Sequence, residues 1–336
     1  MEQRELGNGL AVSRIALGTM TFGAESDEPA AGEILNTFVG AGGTLIDTAD
    51  VYSDGAAEEW IGRWLRRNPD LRDGVVLVTK GRFPVTGQPG ASLSRAYLRT
   101  ALEASLRRLD VDYVDVYLAH GPDRTTRMEE LADFFAEVVA TGKARHVGVS
   151  NLPGWQIAKL STLLAHEGGP RLVTHQPCYS LLSREIEWEV LPAARDAEID
   201  AIIWGPLGSG WLTGKYQRDS RPPEGSRLGD NPNHPGIEAW DRRANERTWA
   251  ILDRLTVVAG ELDISPAVAA LAWVADRPGV AAAIVGARTA DQLRETLAAA
   301  SVHLPAQSAA ALDEASAPPP PDYPYSYIEE WSAVTS

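Results

Sequence analysis

Four residues stand where a short apolar run gives out. Asp47 and Tyr52 lie in Leu45-Ile-Asp-Thr-Ala-Asp-Val-Tyr52, Lys80 closes Val75-Val-Leu-Val-Thr-Lys80, and His120 closes Val116-Tyr-Leu-Ala-His120. A charge set directly after a buried strand is partly desolvated and needs a partner. Asp47 and Lys80 on neighbouring strands supply each other. An isolated tyrosine titrates near pH about 10, and an adjacent ammonium favours phenolate and lowers that value. Tyr52 beside Lys80 is then a proton donor usable near neutral pH, with Asp47 holding the lysine charged and in place. Neutral His120 suits the orientation of a carbonyl oxygen. No side chain in this set is a source of electrons, so the fitting chemistry is hydride transfer from a bound cofactor. Singly, each residue has a blander reading as a solvated strand end, a packing ring or a structural histidine. Their joint placement argues for a site.

Such residues need a frame that brings strand ends together. Eight short apolar runs read as strands: Arg14–Leu17, Thr44–Asp47, Val75–Lys80, Tyr113–His120, His146–Ser150, Leu172–Gln176, Ala201–Trp204 and Ala282–Val285. Segments of helical periodicity separate them, near Pro29–Ala41, Ala57–Arg66, Ser92–Leu109, Arg127–Thr141, Pro153–His166, Glu187–Ala197, Arg243–Leu262, Ser265–Asp276 and Thr289–Ala300. Ser265-Pro266 and Thr289 suit helix starts, and Gly42 and Gly142 suit helix ends. Eight strand–helix alternations predict an α/β fold, a (β/α)8 TIM barrel, whose chemistry sits at the carboxyl ends of the strands. A doubly wound open sheet competes, but no G-x-G-x-x-G turn follows the first strand. Asn8-Gly9 predicts an N-terminal β-hairpin.

The remaining strand ends are polar or glycine-rich: Ser150-Asn151, Gln176, Gly205-Pro-Leu-Gly-Ser-Gly210 and Gly286-Ala-Arg288. Long loops are expected on that face. Gly214–Asp241, rich in Pro, Gly, Asp and Arg, is too long for a bare connection and reads as an active-site loop or a disordered insertion. One barrel domain spans 1–317. The tail 318–336, with Pro318–Pro321 and then Asp322-Tyr-Pro-Tyr-Ser-Tyr327, reads as an extended segment laid over the barrel rim, or as an edge of the pocket.

The chain has 336 residues, with 31 Lys plus Arg against 46 Asp plus Glu, a net charge of −15. That balance argues against nucleic-acid and anionic-membrane partners, which require a basic face. Cys178 is the single cysteine, so no internal disulfide forms and a reducing compartment is expected. The charged start MEQRELGNGL is no secretory leader, and no uncharged run reaches membrane-spanning length. A cytoplasmic location and a small-molecule partner are the expectation. The six histidines show no metal-ligand spacing.

Eight stretches, in order, resemble the aldo-keto reductase family over nearly the whole chain. They are Ala16-Leu-Gly-Thr-Met-Thr-Phe-Gly23, Ile46-Asp-Thr-Ala-Asp-Val-Tyr-Ser53, Thr79-Lys80, Ala119-His-Gly-Pro-Asp123, Gly142-Lys-Ala-Arg-His-Val-Gly-Val-Ser-Asn151, Gln176-Pro-Cys-Tyr-Ser-Leu-Leu182, Pro206-Leu-Gly-Ser-Gly-Trp-Leu-Thr-Gly-Lys-Tyr216 and Ile284-Val-Gly-Ala-Arg-Thr-Ala-Asp-Gln-Leu293. The spacing is similar to that of the bacterial general reductases and the aflatoxin-aldehyde reductases.

The resemblance implies reversible NADPH-dependent reduction of aldehydes or ketones, with hydride delivered from nicotinamide C4. Its catalytic tetrad carries over onto Asp47, Tyr52, Lys80 and His120, with Tyr52 as the acid. Ser150, Asn151 and Gln176 would hold the nicotinamide carboxamide, and Tyr179 would stack on its ring. Gly18, Thr19, Met20 and Asp47 border the same site. Gly205, Pro206, Leu207, Gly208, Ser209, Gly210, Leu212 and Lys215 resemble the loop over the pyrophosphate, and Trp204 just before it is a further coenzyme-site residue. Gly286, Arg288, Gln292 and Glu295 resemble the adenosine end, where Arg288 meets the 2′-phosphate and favours NADPH over a weaker NADH.

Three positions depart from the family pattern: Thr296 near the adenine, Trp204-Gly205 before Pro206, and Gly121 after His120. Met20, Phe22, Phe83, Trp211 and Trp240 would line a pocket for apolar or aromatic carbonyls. A monomer and a homo-oligomer are both open. A different reading from the same family is a regulatory, nucleotide-sensing subunit with little turnover. A hydrolase using Asp47 with Glu58 leaves Lys80 and Ser150-Asn151 unexplained.

Overall fold

The computed structural model describes residues 1–7, 9–87, 90–218, 220–232, 237–319 and 323–333. An antiparallel hairpin comes first, β1 (Gln3–Leu6) against β2 (Leu10–Ser13). Gly7 and Gly9, at φ 42° and 76°, supply the left-handed turn. Asn8, expected to share that turn, lies outside the described residues.

Eight parallel strands then close a barrel: β3 (Ile15–Gly18), β4 (Leu45–Asp47), β5 (Val76–Gly81), β6 (Val114–Ala119), β7 (Ala144–Ser150), β8 (Leu172–Gln176), β9 (Asp200–Ile203) and β10 (Val280–Gly286). β10 pairs with β3, Gly286 opposite Gly18, and completes the circle. These are the eight strands expected of a (β/α)8 barrel. Around them run α1 (Glu28–Gly40), α2 (Ala56–Arg67), α3 (Arg95–Leu109), α4 (Met128–Ala140), α5 (Gly154–His166) and α6 (Val190–Asp196). The β9 connection holds the short α7 (Arg227–Asp230) and α8 (Trp240–Arg243) before α9 (Glu246–Glu261) and α10 (Pro266–Ala275). After β10 come α11 (Ala290–Leu297), α12 (Ala306–Ser316) and α13 (Tyr325–Ala333).

The caps explain several boundaries. Ser265 accepts from Val268 N with Pro266 in the first turn, and Thr289 accepts from Gln292 N. Gly42 and Gly142 take φ 80° and 72° just past α1 and α4. The core has two layers. Ala16, Leu45, Val76, Val78, Val116, Leu118 and Ile202 fill the barrel, and Leu6 and Val12 of the hairpin join them from below. Ile46, Leu77, Tyr117 and Val147 face the helices instead.

The Gly214–Asp241 stretch, read as too long for a bare connection, carries α7 and the start of α8 where described. It is anchored by a buried ring cluster in which Trp211 stacks on Trp240 at 4.8 Å and meets Trp249 at 5.6 Å. The tail is helical rather than extended beyond the prolines, because Tyr323, Tyr327 and Trp331 recur at the i,i+4 spacing that joins rings on one helix face. Tyr325 stacks on Trp188, between β8 and α6. Pro320–Asp322 lie outside the described residues. Among the described residues no single helix is long and apolar enough to cross a membrane, and the apolar pair α9 and α10 turns by 97° between its members.

Candidate active site

Strand parity decides which side chains meet. Leu45, Val76, Val78, Val116 and Leu118 point inward, whereas Ile46, Leu77, Tyr117 and Ala119 point toward the helices. Side chains alternate along a strand, so Asp47, Lys80 and His120 extend the inward rows at the carboxyl end. Lys80 Nζ donates to both Asp47 oxygens, at 2.9 and 2.8 Å, and to the Thr48 carbonyl at 2.7 Å. The Tyr52 hydroxyl lies 3.4 Å from the same nitrogen. Gln176 Nε2 donates to Asp47 Oδ1 at 2.7 Å. Lys80 is wholly buried and Asp47 is 3% exposed. A pair so enclosed holds only because its hydrogen bonds are made.

Tyr52 opens a tight turn, Tyr52–Gly55, in which Ser53 and Asp54 take φ 48° and 57°. A left-handed backbone at residues carrying a Cβ needs outside support. Ser53 Oγ supplies it by donating to Phe22 O at 2.6 Å, and Thr86 N by donating to Asp54 Oδ1 at 2.7 Å.

The expected lowering of the Tyr52 phenol is not what the surroundings produce. Burial pushes it up, Lys80 pulls it down, Asp47 pushes it up again, and the net is a raised value. The ammonium is shared with Asp47, so Tyr52 stays a neutral phenol with a proton to give. Burial disfavours the Lys80 ammonium, but Asp47 and Tyr52 hold it above the ordinary lysine value. Burial, with Lys80 and Arg82 adding to it, holds His120 far below the histidine range. Its ring is therefore neutral. His120 Nδ1 is buried without a partner among the described residues, and Phe83 meets the ring edge-on at 4.9 Å.

Beside this group a polar chain crosses β7, β8 and β9. Ser150 Oγ donates to Gln176 O at 2.8 Å, Asn151 Nδ2 donates to Ser150 Oγ at 2.9 Å, and Trp204 Nε1 donates to Asn151 Oδ1 at 2.8 Å. Asn151 takes φ 58°, which turns its amide back across the strand ends toward His120 O. After β9 the chain makes consecutive left-handed turns at Gly205, Gly208, Ser209 and Gly210. A Cβ on Gly210 would stand 2.6 Å from Lys215 Nζ. Pro206, Gly208 and Leu212 are buried, while Gly205, Leu207, Ser209 and Gly210 keep partial exposure.

Several expected site residues are placed elsewhere. Tyr179 is fully buried, tilted against Trp273 at 5.4 Å with its hydroxyl on Glu187, so it presents no ring face to a ligand. Half-buried Trp204 is the aromatic at the strand mouth. Phe22 and Trp211 are wholly buried as well. Trp211 belongs to the ring cluster under the long connection, as does partly buried Trp240. Thr19 donates from both N and Oγ1 to the Asp47 carbonyl, and Gly18 is pressed against Ile284. Of the residues just past β3, Met20 reaches solvent, at 44% exposed. Glu58 sits on the helix side of β5, bonded to Thr79 and Arg108, and never faces Asp47.

At the rim, Gly286, Gln292 and Glu295 are exposed around β10 and α11. Arg288 N donates to Gln292 Oε1 at 3.0 Å. Arg288 Nε lies 2.5 Å from Glu25 and Arg227 Nη2 2.7 Å from the same carboxylate. Lys215 faces this group too: burial lowers its ammonium, the charges of Arg288 and Arg227 lower it further, and Glu25 opposes them. Two guanidinium groups thus share one carboxylate, with the Lys215 ammonium near enough to feel their charge, a surplus that fits a phosphate-bearing dinucleotide. Sequence reasoning missed Glu25 and Arg227, and also Asp50. Asp50 is wholly buried, its oxygens meet no side-chain partner among the described residues, and burial with nearby Glu58 pushes its carboxyl to about 7. The Asp-Thr-Ala-Asp spacing was the one available signal for Asp50.

Known proteins place the chain in context. The family model described as "Aldo/keto reductase family" matches residues 14–317. The uncharacterized oxidoreductase YrpG of Bacillus subtilis is 35% identical over 90% of this chain and 92% of its own length. A probable voltage-gated potassium channel subunit beta of Oryza sativa subsp. japonica is 34% identical over the same shares. A versiconal hemiacetal acetate reductase of Aspergillus parasiticus is 32% identical over 94% of this chain and 96% of its own length.

Proposed function

The chain belongs to the aldo/keto reductase family, an oxidoreductase family, and from that premise we propose that it reduces aldehydes or ketones to alcohols with NADPH. The carrying observation is Lys80, bound to Asp47 and within 3.4 Å of the Tyr52 hydroxyl inside a barrel mouth. When bound, the coenzyme supplies the hydride from nicotinamide C4 to the carbonyl carbon. Tyr52 protonates the carbonyl oxygen, which gains negative charge as hydride arrives. Lys80 sits behind the phenol and stabilises the phenolate left by that transfer. Asp47 keeps Lys80 charged and fixed. Neutral His120 donates a hydrogen bond that aims the carbonyl oxygen at Tyr52.

Ser150, Asn151 and Gln176 fit a carboxamide, and Trp204 takes the stacking role expected of Tyr179. The turn Gly205–Gly210 with Lys215 suits the pyrophosphate. The surplus of positive charge at Arg288, Arg227 and Lys215 supports NADPH over NADH. Phe83 beside His120 and exposed Met20 suit an apolar or aromatic carbonyl. The tail at Trp188 would lie on the same rim as the loops that follow β7 and β8. We place the protein in the cytoplasm as a soluble enzyme acting on small molecules.

The test is titration with NADPH and with NADH, followed by tryptophan fluorescence, then addition of 4-nitrobenzaldehyde while coenzyme absorbance is monitored. Tight NADPH binding with turnover is expected. Binding without turnover across a panel of aldehydes and ketones would favour a nucleotide-sensing subunit, the reading that the likeness to a potassium channel subunit beta keeps in play. No binding of either coenzyme would overturn both.

A further inference from the structure

Resting on the reductase reading, we infer that the Glu25 carboxylate competes with the coenzyme's 2′-phosphate for the same two guanidinium groups, and that Arg227 is a second ligand for that phosphate beside Arg288. Glu25 spans the two guanidinium groups, 2.5 Å from Arg288 Nε and 2.7 Å from Arg227 Nη2. Carboxylate and phosphate offer guanidinium the same planar pair of acceptors, so one substitutes for the other without rebuilding the site. Burial alone would raise the Glu25 carboxyl, yet Arg227 and Arg288 hold it below the ordinary range. It is therefore an anion throughout the neutral range.

Glu25 is held in place, not carried on a loose loop. Glu25 N donates to Thr21 O at 2.8 Å, and Thr21 Oγ1 donates to Ala287 O at 2.8 Å. Ser26 Oγ donates to Arg288 O at 3.1 Å. The turn 21–26 is thus tied to the end of β10. From the other side, Arg288 Nη1 donates to Gly225 O at 2.6 Å. Glu25 and this bond together bind the β9–α9 connection to the rim.

A phosphate monoester carries about −1.5 to −2 charges against −1 for a carboxylate. It answers Arg227 and Arg288 better than Glu25 does and displaces it. NADH has no such group. It leaves the Glu25–arginine pairs closed and sets the carboxylate beside its ribose. Glu25 thereby acts as a specificity determinant: it competes with the phosphate it imitates, and its displacement couples coenzyme choice to the grip of Arg227.

The test compares NADPH and NADH binding by fluorescence, and 2′,5′-ADP and 5′-AMP binding by calorimetry, in the whole protein and in E25Q, E25A and R227Q. Both Glu25 variants should tighten NADPH and 2′,5′-ADP about three- to tenfold, because the competing anion is gone. R227Q should weaken both about tenfold, the worth of one charge-assisted hydrogen bond at a partly exposed site. NADH and 5′-AMP should move less than about twofold. Glu25 is about a quarter exposed (27% for its side chain), and two variants of different volume guard against a folding artefact. An unchanged NADPH-to-NADH ratio, or NADPH weakened in the Glu25 variants, would overturn the inference while leaving the reductase reading intact. A wild-type protein that binds neither coenzyme would overturn the reading and the inference with it.

Discussion

The barrel mouth and the barrel rim solve opposite problems with the same kinds of charge. At the mouth, Lys80 and Asp47 are buried and saturated, with Gln176 and the Thr48 carbonyl completing the set. At the rim, Glu25, Arg227 and Arg288 keep 27%, 22% and 28% of their side-chain surface exposed. A buried pair is fixed when the chain folds, because breaking it strands a charge in low dielectric. A pair about a quarter exposed exchanges partners at less cost, because solvent and salt reach each intermediate. Groups that move a proton sit where nothing rearranges, and groups that recognise an anion sit where rearrangement is the event.

Four substitutions test that division. Tyr52→Phe removes the proton donor and its contact with Lys80. It should lower kcat about a thousandfold while NADPH binding stays within about twofold. Survival of turnover near the wild-type rate would dismiss Tyr52 as the acid. Lys80→Met should cost about 3 kcal/mol of stability in urea unfolding, since Asp47 is left buried and unpaired. A loss under about 1 kcal/mol would mean the mouth is as soft as the rim.

Arg288→Ala should weaken NADPH about ten- to a hundredfold and NADH less than about twofold, with stability nearly unchanged. Equal weakening of the two coenzymes would move the phosphate site elsewhere. Asp50→Asn sharpens the comparison most gently. The folded carboxyl titrates at about 7 and an unfolded one near 4, so the folded state binds the extra proton between those values. Stability from this group falls as pH rises from about 4 to about 7, by at most about 1.4 kcal/mol per pH unit. Unfolding measured at pH 5 and pH 8 should show that decline in the wild type and a flatter profile in Asp50→Asn.

The same contrast governs what was legible in the sequence. Strand parity is a local rule, so Asp47, Lys80 and His120 are readable from the runs that precede them. Burial is not local. Tyr179, Phe22 and Trp211 are aromatic residues near glycine-rich turns, and nothing in their neighbourhood says that Trp273, the Ser53 turn or Trp240 would enclose them. The lysine's pull, taken alone, gives the wrong direction for the Tyr52 phenol, because burial opposes it and Asp47 shares the ammonium. The Glu25–Arg227 pair joins residues 202 positions apart, and no spacing rule reaches that far. In the tail, the proline run masks the residues behind it, whose i,i+4 rings make a helix.

The alternation of inner and outer rows along β5 has a genetic corollary. Losing one codon between Val76 and Val78 would shift every later side chain by one face. Lys80 would take the place that Thr79 now holds, bonded to Glu58 among the helices. The reading frame would survive and the composition would barely change, yet the ammonium would leave the mouth. Small deletions are therefore expected to be purged from these strands.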